Sequence, residues 1–183
     1  HPPPLHLQLV DIFFMQHDKP PYPLETQSFL FSIPVFGAKR NGYATDFQRT
    51  WYVFAEGEKE VPQEVQHAFD TIRNVIETVR TTIRPGIEGR QVDEIARRMM
   101  EKAGFAYSRG SGHAVGMALH DGCFQLCPDS RVLGDLPARK LETDNVFTLE
   151  FFCDTSHGVV AMEEMIQLTE NGGEYVYLPQ TEL

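Results

Sequence analysis

"NVFTLEFFCDTSHGVVAMEEMIQLT", residues 145–169, sets two long apolar runs on either side of a short polar break, and reads as an antiparallel β-hairpin joined by "TSHG". If the turn centres between Ser156 and His157, Glu150 stands opposite Glu163. A half-step slip sets it opposite Glu164 instead. In either register two carboxylates on neighbouring strands have Cβ atoms about 4.5–5.5 Å apart. The flanks "FTLEFF" and "VVAMEEMI" bury both strands, so the pair repels in apolar surroundings. Shared protonation, a basic partner or a bound cation would relieve it. Exposure of both glutamates on an outer face is the remaining alternative, and the aromatic flanks argue against it.

Working outward, "GSGHAVGMALHD" (residues 110–121) carries His113 and His120 seven positions apart among glycines. The glycines oppose a helix, and a strand would put this odd offset on opposite faces. Both rings reach one site only if the chain bends between them, which Gly116 would permit. Asp46, in "GYATDFQRT", is a further acidic residue in a strand-like aromatic setting, with Arg49 or a metal as its partner. Three carboxylates and one imidazole would form a mostly hard oxygen site, suited to Mn, Fe, Co or Zn.

The rest of the chain supplies a scaffold. Residues 9–18 and "QSFLFSIPVFGA" are strand candidates, and the second makes a hairpin-like unit with "ATDFQRTWYVF" across the "RNGY" turn. Val61, Val65, Phe69, Ile72, Ile76, Val79 and Ile83 form a helical stripe, with Pro62 in the first turn and Pro85-Gly86 as the stop. A second helix spans about Val92 to Ala103, with Val92, Ile95, Ala96, Met99 and Ala103 inward, and ends at Gly104. A long loop runs from Cys123 to about Asp144. Trp51 is expected in the core.

The 183 residues are 42% hydrophobic, enough for one domain with a sizeable core. Sixteen basic against 26 acidic residues leave a formal charge of −10, which argues against nucleic acid or an anionic membrane as partner. Three cysteines are too few for a disulfide framework and suit a reducing, cytoplasmic location. Cys123 and Cys127 lack a second pair at zinc-finger spacing. No apolar run reaches the ~20 residues of a membrane span.

Together, "FGAKRNGYATDFQRTW", "GHAVGMALH", "VFTLEFF" and "AMEEMIQLTENGGE" resemble, in order and approximate spacing, the motifs of the pita-bread metallopeptidases of family M24. This group contains methionine aminopeptidase, aminopeptidase P and prolidase. The resemblance spans roughly residues 9–178 and implies an α+β fold with a curved, largely antiparallel sheet covered by helices. It implies a single catalytic domain over residues 1–183, with the usual N-terminal part expected to be missing. It also implies metal ligands at Asp46, His113, Glu150 and Glu163, Glu150 also handling the proton of the attacking water. His120 would face the substrate, and His17 stands about where the family has an upstream substrate histidine.

Departures accompany the likeness. Val35 occupies the place of the family's first aspartate and has no donor atom, so one ion per chain is expected, or one held tightly and a second only weakly. Phe151-Phe152 replace a usual Pro-Gly, Ala161 a frequent arginine, and "HDGC" a proline-bearing run, which changes the substrate pocket. The expected activity is a metal-dependent hydrolase of the Xaa-Pro aminopeptidase or prolidase type, acting on a small peptide or amide, with a homodimer as the candidate assembly. The alternatives are another reaction on the same fold, as in dimethylsulfoniopropionate lyase or creatinase, and a non-catalytic binding protein.

Overall fold

A computed structural model describes residues 8–10, 29–33 and 37–183. His17, Val35 and the proline-rich opening lie outside the described residues. The elements in chain order are β1 (Gln8–Val10), β2 (Phe29–Ile33), β3 (Gly37–Arg40), β4 (Tyr43–Ala44), β5 (Arg49–Val53), α1 (Gln63–Thr82) and α2 (Gly89–Lys102). There follow β6 (Gly112–His113), β7 (Gln125–Leu126), a 3-10 turn (Leu136–Ala138), β8 (Val146–Thr155), β9 (Gly158–Thr169) and β10 (Gly172–Tyr175).

The hairpin of β8 and β9 is the backbone of the molecule, and β10 extends it on the far side of β9. Its register sets Glu150 opposite Glu163, the first of the two alternatives the sequence allows. Every strand pair among the described residues is antiparallel. Single bridges from Gln48 to Glu163 and from Ala114 to Phe147 fasten the smaller sheets to this hairpin.

Alternation along the hairpin gives it two different faces. Phe147, Leu149, Phe151, Val160, Met162 and Ile166 are fully or almost fully buried and join the core with α1 and α2. Thr148, Glu150, Glu163 and Met165 lie on the opposite face, because they fall on the other parity of the same paired strands. The stripe read from Val65 to Ile83 is buried throughout, and Val61 packs at its edge.

The second helix begins one turn earlier than its apolar pattern, at Gly89. Glu88 and Gln91 close a capping box there, which satisfies donors of the first turn. Its buried row is Val92, Ala96 and Met100, with Ile95 and Met99 at the margin. The strand expected over residues 44–54 starts only at Arg49, so Asp46 sits in an irregular stretch, where its N–H is taken by the Met165 sulfur. Trp51 is 40% exposed rather than in the core, since it alternates with the buried Thr50 and Tyr52 on β5.

No helix among the described residues is long and apolar enough to cross a membrane. Leu149 is fully buried and Asp154 exposed on the same strand. Leu149→Ala is expected to cost about 2–5 kcal/mol of stability in urea titrations, and Asp154→Ala to stay within about 0.5 kcal/mol.

Candidate metal centre

Four segments meet on the polar face of the hairpin: β8 brings Glu150, β9 Glu163, β6 His113, and the stretch before β5 Asp46. His113 Nε2 lies 3.6 Å from Asp46 Oδ2 and 3.8 Å from Glu163 Oε1. Both separations exceed a hydrogen bond. Bonds of about 2.0–2.2 Å to one ion hold tetrahedral donors about 3.4 Å apart, so these atoms need close by only a few tenths of an ångström. One donor atom each from His113, Glu150 and Glu163 fall within 4.8 Å of one another, and so do donors of Asp46, His113 and His120.

Asp46 is 1% exposed, and its Oδ1 is the one buried side-chain oxygen or nitrogen among the described residues that has no hydrogen-bond partner. A buried unpaired acceptor is costly, and a cation is the partner that also satisfies the neighbouring carboxylates. The His113 ring suits the same cation. Its Nδ1 lies 3.2 Å from the Ala114 carbonyl oxygen; with the proton on Nδ1, the Nε2 lone pair faces the carboxylates.

Burial dominates the electrostatics. It raises Glu150 to about 7, with the Asp46 charge adding to the rise and Arg109 opposing it. Asp46 rises to about 6, again through burial, while a proton shared with Glu163 pulls it down. Glu163 is pushed well up by burial and by the charges of Asp46 and Glu150. The same desolvation lowers His113 to about 4 and keeps it neutral, with the nearby His120 acting in the same direction.

The backbone around these side chains is closely tied. Gly112 has a φ of +151°, and a Cβ there would stand 1.9 Å from the Thr148 carbonyl oxygen, so only glycine lets β6 approach β8 this closely. The His113 N–H donates to Thr148 Oγ1 at 3.1 Å. The Glu150 N–H donates to the Ser111 carbonyl at 3.0 Å, and Tyr107 Oη donates to the Glu150 carbonyl at 3.0 Å. Ser111 is fixed in turn by Asp93, whose carboxylate takes the Ser111 hydroxyl at 2.7 Å and the Arg97 guanidinium at 2.9 Å. Tyr177 Oη donates to the Asp46 carbonyl at 2.9 Å, and Gln48 and Glu163 exchange two backbone bonds of 3.2 Å.

Arg49 is not the partner of Asp46. It pairs with Glu164 on the other face of β9 at 2.9 Å and also donates to the Glu163 carbonyl at 3.0 Å. His120 is exposed, and its ring centroid lies 3.9 Å from that of His113, because the chain bends between them, closed by the Asp121 N–H on the Ala114 carbonyl. Thr148 was not singled out in the sequence, although its place two before Glu150 puts it on the same face of β8. Tyr177 carries no local sequence signal of its contact with Asp46.

The model of metallopeptidase family M24 matches residues 19–170, and the chain belongs to that family. Among solved structures it is similar to the prolidase from Pyrococcus furiosus, with 22% identity and a TM-score of 0.67 over 83% of this chain and 42% of that one. The prolidase from Thermococcus sibiricus gives 23% identity and a TM-score of 0.69 over 91% and 42%. The X-Pro aminopeptidase from Thermotoga maritima gives 22% and 0.68 over 84% and 41%. The chain thus spans about two fifths of the length of these relatives. No curated protein sequence gives a significant match. The α+β pita-bread fold implied by the sequence motifs is the fold of this chain.

The raised carboxyls fix how the metal-free protein responds to pH. Asp46, Glu150 and Glu163 keep protons in the fold that an unfolded chain releases near pH 4. The contributions of Asp46 and Glu150 are full below about pH 4 and are lost as pH rises through about 6 and about 7, and Glu163 acts in the same direction. His113 acts oppositely, losing its contribution as pH falls from about 6.5 to about 4, but one imidazole is outweighed by three carboxyls. Melting temperatures of chelator-treated protein should therefore fall between pH 5 and pH 7.5. A rise across that window would show that these carboxyls are already ionised in the metal-free fold.

Proposed function

We propose that this protein is a divalent-metal-dependent hydrolase of the Xaa-Pro aminopeptidase and prolidase type, acting on small peptides or amide-like substrates in the cytoplasm. The observation that carries the proposal is the convergence of three buried or half-buried carboxylates on a neutral imidazole, with Asp46 Oδ1 left unpartnered among them. Family membership and the likeness to prolidase and aminopeptidase folds support the reaction class. Three free cysteines suit a reducing compartment.

Asp46, His113, Glu150 and Glu163 would hold one ion of the Mn, Fe, Co or Zn kind. Such an ion, when bound, would supply Lewis acidity toward a water and the scissile carbonyl. Deeply buried Glu163 and Asp46 provide the fixed negative charge. Glu150 is half-buried, and its pKa of about 7 suits a group that takes the proton of the attacking water and returns it to the leaving amine. His120, exposed at the mouth of the site, would donate to the substrate carbonyl oxygen and steady the charge that develops there. His17, by its place in the sequence, would be a further substrate-facing group. Asp93, Arg97 and Tyr107 hold the backbone of Ser111 and Glu150, so the base keeps its place relative to His113.

Metal analysis after exchange into low-metal buffer, followed by a peptide panel, tests this reading. One ion per chain is expected in the wild type and its loss in Glu163→Ala. Glu150→Gln should retain fold and lower kcat by about 10²–10⁴-fold, the range that proton transfer contributes. Two tightly held ions would refute the single-ion site, and a metal-loaded protein inert toward every peptide would refute the peptidase assignment.

A further inference from the structure

We propose that His120 is itself a ligand of the ion in the substrate-free protein, closing the open side of the site until substrate displaces it. The proposal rests on the metal-hydrolase reading above and assigns its resting state. Two three-donor groups occur here, one of His113, Glu150 and Glu163 and one of Asp46, His113 and His120, each with donor atoms within 4.8 Å. His113 belongs to both. Its Nδ1 faces the Ala114 carbonyl, which leaves Nε2 as the one lone pair it can give. The two groups therefore describe one ion, not two.

Asp46, a member of the second group, faces His113 Nε2 through Oδ2 at 3.6 Å and carries the unpartnered buried oxygen Oδ1, and the His120 ring rests against His113 with centroids 3.9 Å apart and planes inclined by 33°. The two loops that carry Asp46 and His120 are joined: the Ala44 N–H donates to the Gly116 carbonyl at 2.9 Å. A movement of the His120 loop toward the ion would thus be guided by the segment that holds Asp46. His120 is also the exposed member of the five donors, so it stands on the side from which substrate arrives. A ligand in that place can be exchanged for a substrate carbonyl without disturbing the buried donors. Two imidazoles among carboxylates favour Zn and Co over Mn, in line with ligand softness and the order of divalent affinities.

Zinc binding by the full chain, wild type against His120→Ala, tests the assignment through affinity by chelator competition and imidazole count by X-ray absorption of the bound zinc. The wild type is expected to hold one zinc with two imidazoles. His120→Ala should hold it with one imidazole and about tenfold or more weaker, the scale on which groups at metal sites act. His120 is exposed, so the variant should fold, and circular dichroism checks this. A single imidazole in the wild-type spectrum overturns the proposal whatever the affinities. A wild type that binds no zinc, or a His113→Ala variant that binds it undiminished, overturns the metal-hydrolase reading itself.

Discussion

Three acidic side chains meet in a space that water scarcely enters, and the surrounding structure answers to that repulsion. Strand β9 contains its own comparison. Glu163 and Glu164 are adjacent, both are almost fully buried, and both are raised by desolvation. Because successive residues point to opposite faces, Glu164 meets Arg49 at 2.9 Å and the Gln180 N–H at 2.9 Å. Glu163 meets Asp46 and Glu150 instead, and their charges raise it further. One carboxylate has a built-in cation and its neighbour has two more carboxylates. The second arrangement is stable only with protons or with a positive ion, and a neutral imidazole with a free lone pair beside it fits the ion better than it fits an acid cluster.

Rigid support follows from the same constraint, since like charges separate if their backbones can move. Each member is fixed by main-chain bonds from a different direction. Glu150 is bracketed by Ser111 and Tyr107, His113 is drawn to Thr148, and Asp46 is held by Met165 and Tyr177. Arg49 serves both faces at once, neutralising Glu164 and binding the carbonyl of Glu163. The buried Asp93–Arg97 pair on α2 extends this support to the loop that leads into His113. Breaking one partner of such a pair leaves an uncompensated buried charge, which couples the helix layer to the geometry of the site.

What the sequence disclosed is what periodicity records. A step of two along residues 146–169 gives both the hairpin and the facing of Glu150 on Glu163, and steps of three and four give the buried rows of α1 and α2. Periodicity registers which face is apolar, not which polar group answers another across the fold. The choice between Arg49 and Asp46 as mutual partners was therefore open in the sequence, and it went to Glu164, 115 positions away from Arg49. The link from Tyr177 to Asp46 spans 131 positions and leaves no local trace. Trp51 misleads for the opposite reason: a large apolar side chain suggests burial, while its parity on β5 turns it outward. The start of α2 lies outside the apolar pattern because its signal is a capping box rather than an apolar residue.

Glu150 and Glu163 are chemically identical and face each other, yet their surroundings differ. Glu163 is 2% exposed, sits between two other acids, and has its main chain held by two backbone bonds to Gln48, with the Arg49 guanidinium donating to the same carbonyl. Glu150 is half-buried and feels Arg109 as well as Asp46, and its pKa of about 7 lies where a group can both accept and release a proton near neutrality. Divergent environments acting on paired carboxylates are a general way to separate a holder of charge from a carrier of protons. On the proposed reading, the register of one hairpin therefore does more than set two ligands side by side. It sets Glu163 deep and leaves Glu150 half-buried, the difference that suits the first to holding charge and the second to carrying protons.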